Sequence, residues 1–335
     1  MLNNKTILVT GCNGFIGSYL CMRLLNDYDL SIIGVDNNND YYDVGLKEYR
    51  LAKINDLNKK FKFIKGDISD SEFINKLFKD YKFDIVVNLA AQAGVRYSID
   101  NPGVYIKSNV EGFYNILEAV RFNKVEHLIY ASSSSVYGGN TKIPFEVEDR
   151  VDNPVSLYAA TKKTNELFAY TYSHLYDIPV TGLRFFTVYG PAGRPDMAYF
   201  SFTNKLIKNE KIKIFNYGKC ERDFTYVDDI VEGIVRIMDN GPKEKYNLYN
   251  IGNNHPENLM DFVYTLGNCL IENGVLDKDF NIDEHMQLVE MQPGDVPITY
   301  ADTSKLEKDY GFKPSTSLKD GLDRFASWYK DYYKL

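Results

Sequence analysis

The sequence has few of the residues that build disulfide or metal frameworks. Its 335 residues include only four cysteines, four histidines and one tryptophan. The cysteines form no C-x-x-C pair and the histidines are scattered, which argues against a disulfide scaffold and against a metal site. We therefore expect a reduced protein of the cytoplasm that binds no metal.

The chain also lacks an excess of basic residues and lacks long apolar runs. Its 39 Lys and Arg are outnumbered by 46 Asp and Glu, for a net charge of -7. Nucleic acids bind basic surfaces, so this balance disfavours them as partners. The apolar run at 6–9 is too short for a signal peptide, and no other run approaches the roughly 20 residues of a membrane span.

Short apolar runs instead alternate with helical patterns through the first half of the chain. This alternation predicts βαβ units and a doubly wound parallel sheet of the Rossmann type, in the α/β class. The predicted strands are 6–9, 31–35, 61–64, 84–89, 127–131 and 180–185, and the predicted helices are 15–26, 70–80, 104–123 and 157–176.

The alternation stops after about residue 186, where GPAGRP at 190–195 predicts a loop. Helices are predicted beyond it at 199–208, 228–238 and 259–267, among short strands. We expect residues 1–186, with some later segments returning, to bind a dinucleotide. Residues 187–335 then form mainly a smaller mixed α/β lobe for the substrate.

A glycine-rich turn follows the first predicted strand, in the sequence GCNGFIG at 11–17. Gly11, Gly14 and Gly17 permit a tight turn and a close approach of backbone to a pyrophosphate. The helix that starts near Phe15 and Ile16 points its N–H groups at that anion. The spacing is GxxGxxG rather than GxGxxG, so the motif is less specific when taken alone.

Asp36 ends the second predicted strand, 19 residues after Gly17. A carboxylate there accepts hydrogen bonds from ribose hydroxyls and repels a 2′-phosphate, which favours NAD over NADP. The alternative is an aspartate that caps a turn. Further cofactor contacts, each with a turn or packing role as its alternative, are predicted at Asn37, Asp67, Ile68, Leu89, Ala90, Ala91 and Asn109.

Tyr158 and Lys162 are four residues apart on a predicted helix, so they share one face. An ammonium and the positive charge of an oxidised nicotinamide both favour a phenolate, which can act as a base. Such a pair is common by chance in a chain with 27 tyrosines. Ser133, in the serine run 132–135 after the fifth strand, strengthens the prediction because it can orient the same substrate oxygen; the alternative is a serine-rich turn.

Together these residues resemble the extended short-chain dehydrogenase/reductase family of nucleotide-sugar enzymes, and within it the 4-epimerases of UDP-glucuronate. The resemblance covers nearly the whole chain. It depends on AAQAGVRYS at 90–98, RFFTVYGP at 184–191, GRPDM at 193–197, RDFTYVDD at 222–229 and MQPGDV at 291–296.

The resemblance implies that Tyr158 removes the proton of the sugar 4-hydroxyl while the C4 hydride passes to tightly bound NAD. Lys162 holds the nicotinamide ribose and Ser133 assists. The 4-keto sugar then turns over and is reduced on its other face. Because this intermediate is a β-keto acid that can lose CO₂, the carboxylate must be clamped. The implied substrate contacts are Arg96, Ser132, Ser133, Ser134, Tyr158, Thr187, Arg194, Ile214, Phe215, Arg222 and Asp295.

Several alternatives stay open. Arg194 could be a surface charge, and Arg222 could pair with Asp223 or Asp228. Ala192 stands where the family commonly has tryptophan, so the loop could be looser. The enzyme could instead act on UDP-N-acetylglucosamine or UDP-glucose. A dehydratase or decarboxylase is disfavoured because no acid follows the serines, and a non-catalytic NAD sensor is disfavoured by Tyr158 itself.

The resemblance also implies a homodimer, in which helices 104–123 and 157–176 of two subunits form a four-helix bundle. The second of these helices is rich in tyrosine, at Tyr170, Tyr172 and Tyr176. These side chains suit either an interface or a core.

Overall fold

A parallel sheet of seven strands forms the centre of the computed structural model, which describes residues 2–291 and 296–335. The strand order is β10-β6-β5-β4-β1-β2-β3, and every pairing in it is parallel. The strands are β1 Thr6–Thr10, β2 Ser31–Asp36, β3 Phe61–Lys65, β4 Ile85–Asn88, β5 His127–Ser133, β6 Val180–Phe185 and β10 Tyr246–Ile251. The predicted Rossmann-type α/β fold is confirmed.

The central strands are apolar on both sides because helices cover both faces of the sheet. Ile7 and Val9 belong to one core cluster and Leu8 to the other, and all three are fully buried. The strand predicted at 84–89 is shorter by one residue at each end, and Asp84 just before it accepts a hydrogen bond from the N–H of Thr6 at 2.7 Å. Strand β5 is longer than predicted and includes Ser132 and Ser133.

Helices connect these strands, and they include the four helical regions predicted in this part of the chain. In the first half they are α1 Phe15–Asp27, α2 Val44–Asn55, α3 Ser71–Asp80, α4 Tyr97–Asp100, α5 Pro102–Tyr105, α6 Gly112–Asn123 and α7 Leu157–Tyr176. Asp70 caps α3 by accepting from two main-chain N–H groups at 3.0 Å. The helix predicted at 104–123 is not uniform, because Ile106–Glu111 is a π-helical segment between α5 and α6.

The part of the chain after residue 186 adds short strands and further helices. The strands are β7 Thr187–Tyr189, β8 Ile212–Ile214, β9 Glu221–Tyr226, β11 Pro256–Asn258 and β12 Met286–Leu288. The helices are α8 Ala198–Leu206, α9 Val227–Asn240, α10 Leu259–Glu272, α11 Ser304–Tyr310 and α12 Leu318–Tyr333. Strands β11, β9 and β7 form one small sheet, and β12 pairs with β8. Helices α11 and α12 were not predicted.

Within the described residues, none of the helices combines the length and apolar character that crossing a membrane requires.

Candidate active site

One large cavity of about 760 Å³ opens along the carboxyl ends of the central strands. Its walls include the glycine-rich turn at one end and the segment around Arg222 at the other. Parallel sheets place ligands at this edge because the strand ends and helix N-termini meet there. The cavity therefore brings together predicted residues that are far apart in the sequence.

The glycine-rich turn has the shape that its residue types predict. Gly11 has a φ of +70°, and a Cβ atom on it would lie 2.8 Å from the main-chain nitrogen of Ala90. A Cβ atom on Gly17 would collide with the carbonyl oxygen of Gly11. These glycines leave bare backbone at the start of α1, where a pyrophosphate can approach the helix N-terminus. The side chains of Phe15 and Ile16 also line the cavity.

Asp36 lies at the cavity wall where β2 ends. It accepts hydrogen bonds from the main-chain N–H groups of Asn13 at 3.2 Å and Asn38 at 2.9 Å. Both predictions for this residue therefore apply to its geometry: it caps a turn, and it faces the space where a ribose would lie. The carboxylate fits the adenosine end of NAD.

The wall beyond Asp36 is formed by residues that follow the next strands. Asn37 donates to Asp67 Oδ2 at 3.0 Å. Burial acts to raise the pKa of Asp67, but hydrogen bonds from Ser69 and Asn37 outweigh it and lower that pKa. Asp67 therefore stays charged and holds this loop. Ile68, Leu89, Ala90 and Ala91 line the same stretch of the cavity, as predicted.

Asn109 is the exception among the predicted cofactor residues. It lies in the π-helical segment with 2% of its surface exposed, and it is not part of the cavity wall. Its Oδ1 accepts from the N–H of Gln92 at 2.7 Å, and its Nδ2 donates to the carbonyl of Gln92 at 3.0 Å. These bonds fit the alternative interpretation of Asn109, a turn or packing role. Asn109 shapes the loop that lines the cavity rather than the cavity.

Tyr158, Lys162 and Ser133 meet in the middle of the cavity wall. The helix α7 that carries the first two begins after Ser156, which accepts from the N–H of Ala159 at 3.1 Å. Lys162 Nζ lies 6.0 Å from the centroid of the Tyr158 ring and donates to the carbonyl of Ala131 at 2.9 Å. The shared helix face predicted from the sequence is therefore present.

The electrostatics of this group differ from the prediction. Burial raises the pKa of Tyr158, while a hydrogen bond with Ser133 and the charge of Arg194 act to lower it. Burial lowers the pKa of Lys162 to about 8. The protein alone therefore holds Tyr158 as a neutral phenol. Lys162 does not by itself lower the pKa of Tyr158 towards 7. Arg194 is the cation that acts on it.

The whole serine run 132–135 lines the cavity, although the first of its hydroxyls is already bonded to a buried carboxylate. Ser132 has 2% of its surface exposed, and its hydroxyl donates to Glu166 Oε1 at 2.7 Å. Glu166 also pairs with Arg184 at 2.8 Å, so the Ser132 hydroxyl is joined to a buried network while its residue lines the cavity. Ser133 and Ser134 lie beside it in the cavity wall, with Ser133 Oγ 3.1 Å from Ser135 Oγ.

Arg194 lies in the cavity wall as predicted, but it already has a carboxylate partner. Its Nε lies 3.0 Å from Asp196 Oδ1, and its Nη2 lies 2.5 Å from Asp196 Oδ2. Tyr41 adds a hydrogen bond to Asp196 at 3.3 Å. Burial acts to raise the pKa of Asp196, but Arg194 outweighs it and lowers that pKa. Arg194 is 24% exposed, so it is not the surface charge of the alternative interpretation.

The far end of the cavity contains most of the residues expected to bind UDP. The Arg96 guanidinium lies over the Phe215 ring at 5.3 Å, and Thr187 lies nearby in the wall. Arg222 Nη1 donates to the carbonyls of Glu221 at 2.9 Å and Pro297 at 3.0 Å.

Two expectations at this end fail or fall outside the structure. Ile214 is fully buried in the core cluster and does not line the cavity, because side chains alternate along β8. Asp295 lies outside the described residues. The proposed pairing of Arg222 with Asp223 or Asp228 is also not found, since Asp223 accepts from main-chain N–H groups and Asp228 lies 4.0 Å from Arg324.

Among the cavity or near-cavity residues that the sequence did not predict are Tyr41, Lys47, Arg50 and Asp196. Asp196 stands inside the GRPDM segment, so its position was visible although its partner was not. The other three lie in or next to α2. That helix was not predicted because its buried face carries Lys47 and Arg50 beside Leu46 and Ile54, which interrupts the apolar periodicity.

Known proteins share this fold and much of this sequence. Protein CapI of Staphylococcus aureus is 50% identical over 98% of this chain and 99% of its own length. UDP-glucuronate 4-epimerase 4 of Arabidopsis thaliana is 44% identical over 99% of this chain and 76% of its own length. UDP-glucuronic acid 4-epimerase of Bacillus cereus, solved in complex with UDP-glucuronic acid and NAD, has a TM-score of 0.87 and 32% identity over 98% of this chain and 100% of that one.

A more distant structure is UDP-glucose 4-epimerase of Thermotoga maritima with UDP-glucose, at 28% identity and a TM-score of 0.83 over 98% of this chain and 99% of that chain. Residues 8–325 match the family described as GDP-mannose 4,6 dehydratase, which is nearly the full length. The chain belongs to this family of the extended short-chain dehydrogenases/reductases.

Proposed function

We propose that this protein is an NAD-dependent 4-epimerase that interconverts UDP-glucuronate and UDP-galacturonate. The observation that carries the proposal is the placement of Tyr158, Ser133 and Arg194 on one cavity wall, between the glycine-rich turn and Arg222. An acid–base group, its hydrogen-bond partner and a cation for a carboxylate are what this reaction requires. The similarity to named UDP-glucuronate 4-epimerases supports the choice of sugar.

Tyr158 is the acid–base residue of the proposed reaction. Its phenolate takes the proton of the sugar 4-hydroxyl, and the resulting phenol returns a proton when the 4-keto group is reduced. Ser133 donates to the oxygen at C4 and holds it at the phenol. NAD bound beside Tyr158 and Lys162 would supply the acceptor for the C4 hydride and the donor for its return to the opposite face of the ring.

Charge around Tyr158 decides its protonation state. The hydrogen bond with Ser133 and the charge of Arg194 act against the effect of burial. Lys162 is fixed by the carbonyl of Ala131, close to the ring of Tyr158. From that position it reaches the nicotinamide ribose and supplies positive charge below a pH of about 8, the value to which burial lowers its pKa.

Arg194 is the residue that makes a uronate the preferred sugar. A 4-keto uronate is a β-keto acid, which loses CO₂ when its C5–C6 bond aligns with the carbonyl π system. A planar guanidinium binds a carboxylate with two parallel hydrogen bonds and so fixes its orientation. In the protein alone the Asp196 carboxylate makes these two contacts, which supports the proposal that this guanidinium can hold a carboxylate. Ser134 and Thr187 supply shorter donors.

The remaining cavity residues divide between cofactor and nucleotide. We propose that residues 1–186 hold NAD, with β10 completing their sheet, and that residues 187–335 mainly hold the nucleotide sugar. The NAD contacts are Gly11, Gly14, Phe15, Ile16, Gly17, Asp36, Asn37, Asp67, Ile68, Leu89, Ala90, Ala91, Tyr158 and Lys162. For UDP, Phe215 packs on uracil, Arg222 and Arg96 face the diphosphate, and Asp295 remains the proposed ribose partner.

A second candidate is 4-epimerisation of UDP-glucose or UDP-N-acetylglucosamine, which needs the same Tyr158 and Ser133. The likeness to UDP-glucose 4-epimerase of Thermotoga maritima favours keeping it. Arg194 argues against it, because a guanidinium has no charge to pair with on a neutral C6 hydroxymethyl group. Dehydration and decarboxylation both lack an acid next to the serines, where the chain has Ser135 and Val136.

We propose a homodimer in the cytoplasm. Helices α6 and α7 pack on each other and leave large apolar side chains exposed, among them Phe122 at 69%, Leu167 at 56% and Tyr170 at 56%. A second copy covering these residues would complete a four-helix bundle. The four free cysteines support a reducing compartment. A monomer in light scattering at micromolar concentration would rule the dimer out.

The proposed function is tested by incubating purified protein separately with UDP-glucuronate, UDP-glucose and UDP-N-acetylglucosamine and resolving the products. We expect UDP-galacturonate from the first, with kcat/KM well above that for the other two. Exclusive turnover of a neutral sugar would replace the proposal with the second candidate. No turnover of any of the three by NAD-loaded protein would favour the non-catalytic alternative.

A further inference from the structure

Arg50 is a buried arginine whose guanidinium bonds no carboxylate among the described residues; its acceptors are three main-chain carbonyls and one tyrosine hydroxyl. It has 1% of its surface exposed and lies on the inner face of α2. Nε donates to the carbonyl of Ala192 at 2.8 Å, and Nη2 donates to that of Gly193 at 2.9 Å. Nη1 donates to the carbonyl of Asn13 at 3.1 Å and to the hydroxyl of Tyr42 at 2.7 Å.

These acceptors belong to two different parts of the active site. Asn13 is in the glycine-rich turn of the dinucleotide end, whereas Ala192 and Gly193 immediately precede Arg194. One rigid, planar group therefore joins both loops. A buried charge is costly unless its hydrogen bonds are satisfied, so each carbonyl is held in place by the need to satisfy the guanidinium.

The loop before Arg194 needs such support. Ala192 has a φ of +50°, a left-handed conformation that alanine adopts rarely. It is nevertheless 4% exposed and its carbonyl points at Arg50. Ala192 stands in place of the family's tryptophan, but its small side chain does not leave the loop loose. Arg50 holds the main chain of the loop in the place of packing by a larger side chain.

A second contact links the same two segments. Tyr41, which precedes α2, donates to Asp196 at 3.3 Å, and Asp196 pairs with Arg194. The stretch around α2 thus contacts the loop on both sides of Arg194, through Arg50 before it and Tyr41 after it.

We propose that Arg50 is a positioning residue that sets where Arg194 holds the uronate carboxylate. This inference rests on the proposed function and deepens it. Arg50 is not part of the cavity wall; it fixes the main-chain carbonyls of the two residues immediately before Arg194. Loss of the Arg50 guanidinium lets Arg194 shift. A misplaced Arg194 still binds the carboxylate, but it no longer keeps the C5–C6 bond from aligning with the C4 carbonyl.

The expected consequence is a change in the fate of the 4-keto intermediate. When the C5–C6 bond aligns, it breaks and CO₂ leaves. The electron pair moves into the C4 carbonyl to give an enolate, which takes a proton at C5. The UDP-4-ketopentose that remains either departs or is reduced at C4 by the stored hydride. The fraction of pentose among the products measures how well the carboxylate is held.

The test is the ratio of UDP-pentose plus UDP-4-ketopentose to UDP-galacturonate formed from UDP-glucuronate by NAD-loaded enzyme. We expect Arg50→Lys to raise this ratio on the order of tenfold, because small misplacements at a reacting group have effects of at least that size. The matched control is Arg236→Lys, which also loses a guanidinium bonded to a carbonyl, that of Gly311 at 2.6 Å, but outside the cavity. Its ratio should equal that of the parent protein.

A ratio of products is the same whatever fraction of the enzyme is active, so a merely structural role would lower the rate and the melting temperature and leave the ratio unchanged. That result would overturn the proposal. If Arg50→Lys does not fold, Arg50→Gln replaces it, since a neutral side chain leaves no unpaired buried charge, and the same rise is expected. If the parent protein forms no UDP-galacturonate, the proposed function fails, independently of Arg50.

Discussion

At one end of the cavity Gly11, Asp36 and Ala90 lie where parallel strands end; we refer to this as the dinucleotide end. At the other end Arg194, Phe215 and Arg222 lie in turns and short strands after residue 186, and this is the sugar end. At the dinucleotide end the main chain takes conformations and makes close contacts that only glycine permits, as at Gly11. The sugar end is shaped by side chains that hold one another, such as Arg194 with Asp196.

This difference predicts how each end responds to substitution. Changes at the sugar end should alter which product forms and how fast, while NAD remains bound. Changes in the strands that support the dinucleotide end should affect stability first. Tyr158 lies between the two ends. Removing only its hydroxyl should leave NAD bound and the protein stable, and should lower the rate of the reaction more than any other change.

The largest effect is expected for Tyr158→Phe. Removing only the hydroxyl deletes the acid–base group, so turnover of UDP-glucuronate should fall on the order of a thousandfold. NAD content per subunit, measured from absorbance after denaturation, should stay at the parent value. Tyr264→Phe, which removes a hydroxyl bonded to Asp283 away from the cavity, should keep full turnover. Near-normal activity of Tyr158→Phe would mean that another group moves the proton.

A smaller and more selective effect is expected for Arg194→Ala. Losing a charged hydrogen bond to the carboxylate should lower kcat/KM for UDP-glucuronate roughly tenfold to a hundredfold and raise the pentose fraction. Turnover of UDP-glucose, if the parent shows any, should change little. Both rates are measured by resolving the products over time.

The partner of Arg194 requires its own control, since Arg194→Ala leaves Asp196 unpaired beside the substrate carboxylate. The double variant Arg194→Ala/Asp196→Asn removes that repulsion and should regain part of the lost kcat/KM while keeping the high pentose fraction. An unchanged product profile in both variants would place the carboxylate clamp elsewhere in the cavity.

The smallest effect concerns the stability of the sheet that supports the dinucleotide end. His127 begins β5 and is 2% exposed; its Nε2 lies 2.8 Å from Thr181 Oγ1, and its Nδ1 has no hydrogen-bond partner among the described residues. Burial lowers its pKa from 6.5 to about 4. As pH falls below 6.5 the unfolded chain therefore takes up a proton that the folded protein refuses, and stability is lost down to about pH 4.

By pH 5 this single group should cost the folded protein about 2 kcal/mol, at about 1.4 kcal/mol for each pH interval of one. His127→Gln can keep the bond to Thr181 and cannot titrate. Its free energy of unfolding, from urea titrations at pH 7 and pH 5, should fall about 2 kcal/mol less than that of the parent. The variant of an exposed histidine, His174→Gln, should lose as much free energy of unfolding between pH 7 and pH 5 as the parent. An equal loss in all three proteins would refute the role given to His127.

The dinucleotide end and its sheet could be predicted from the sequence because each signal is local. The bounds of β6 and α7 were predicted to the residue. The glycine spacing and the apolar runs each follow from a backbone requirement of a few adjacent residues. The roles of the individual residues in binding NAD stay predictions.

The sugar end could be predicted only in part because its signals are long-range. No local pattern shows that Tyr41 donates to Asp196, or that Ser132 donates to Glu166. Helix α2 was missed because the charged Arg50 occupies a core position, where it bonds carbonyls about 140 residues further along the chain. Buried polar contacts of this kind break the apolar pattern that sequence reasoning depends on.

The central claim is that C4 of the sugar is oxidised and then reduced by the same stored hydride at Tyr158. UDP-glucuronate carrying deuterium at C4 tests it directly, with UDP-galacturonate analysed by mass spectrometry after turnover in ordinary water. Our account predicts that the product keeps the deuterium at C4. Loss of the label to solvent, with hydrogen at C4 of the product, would contradict it.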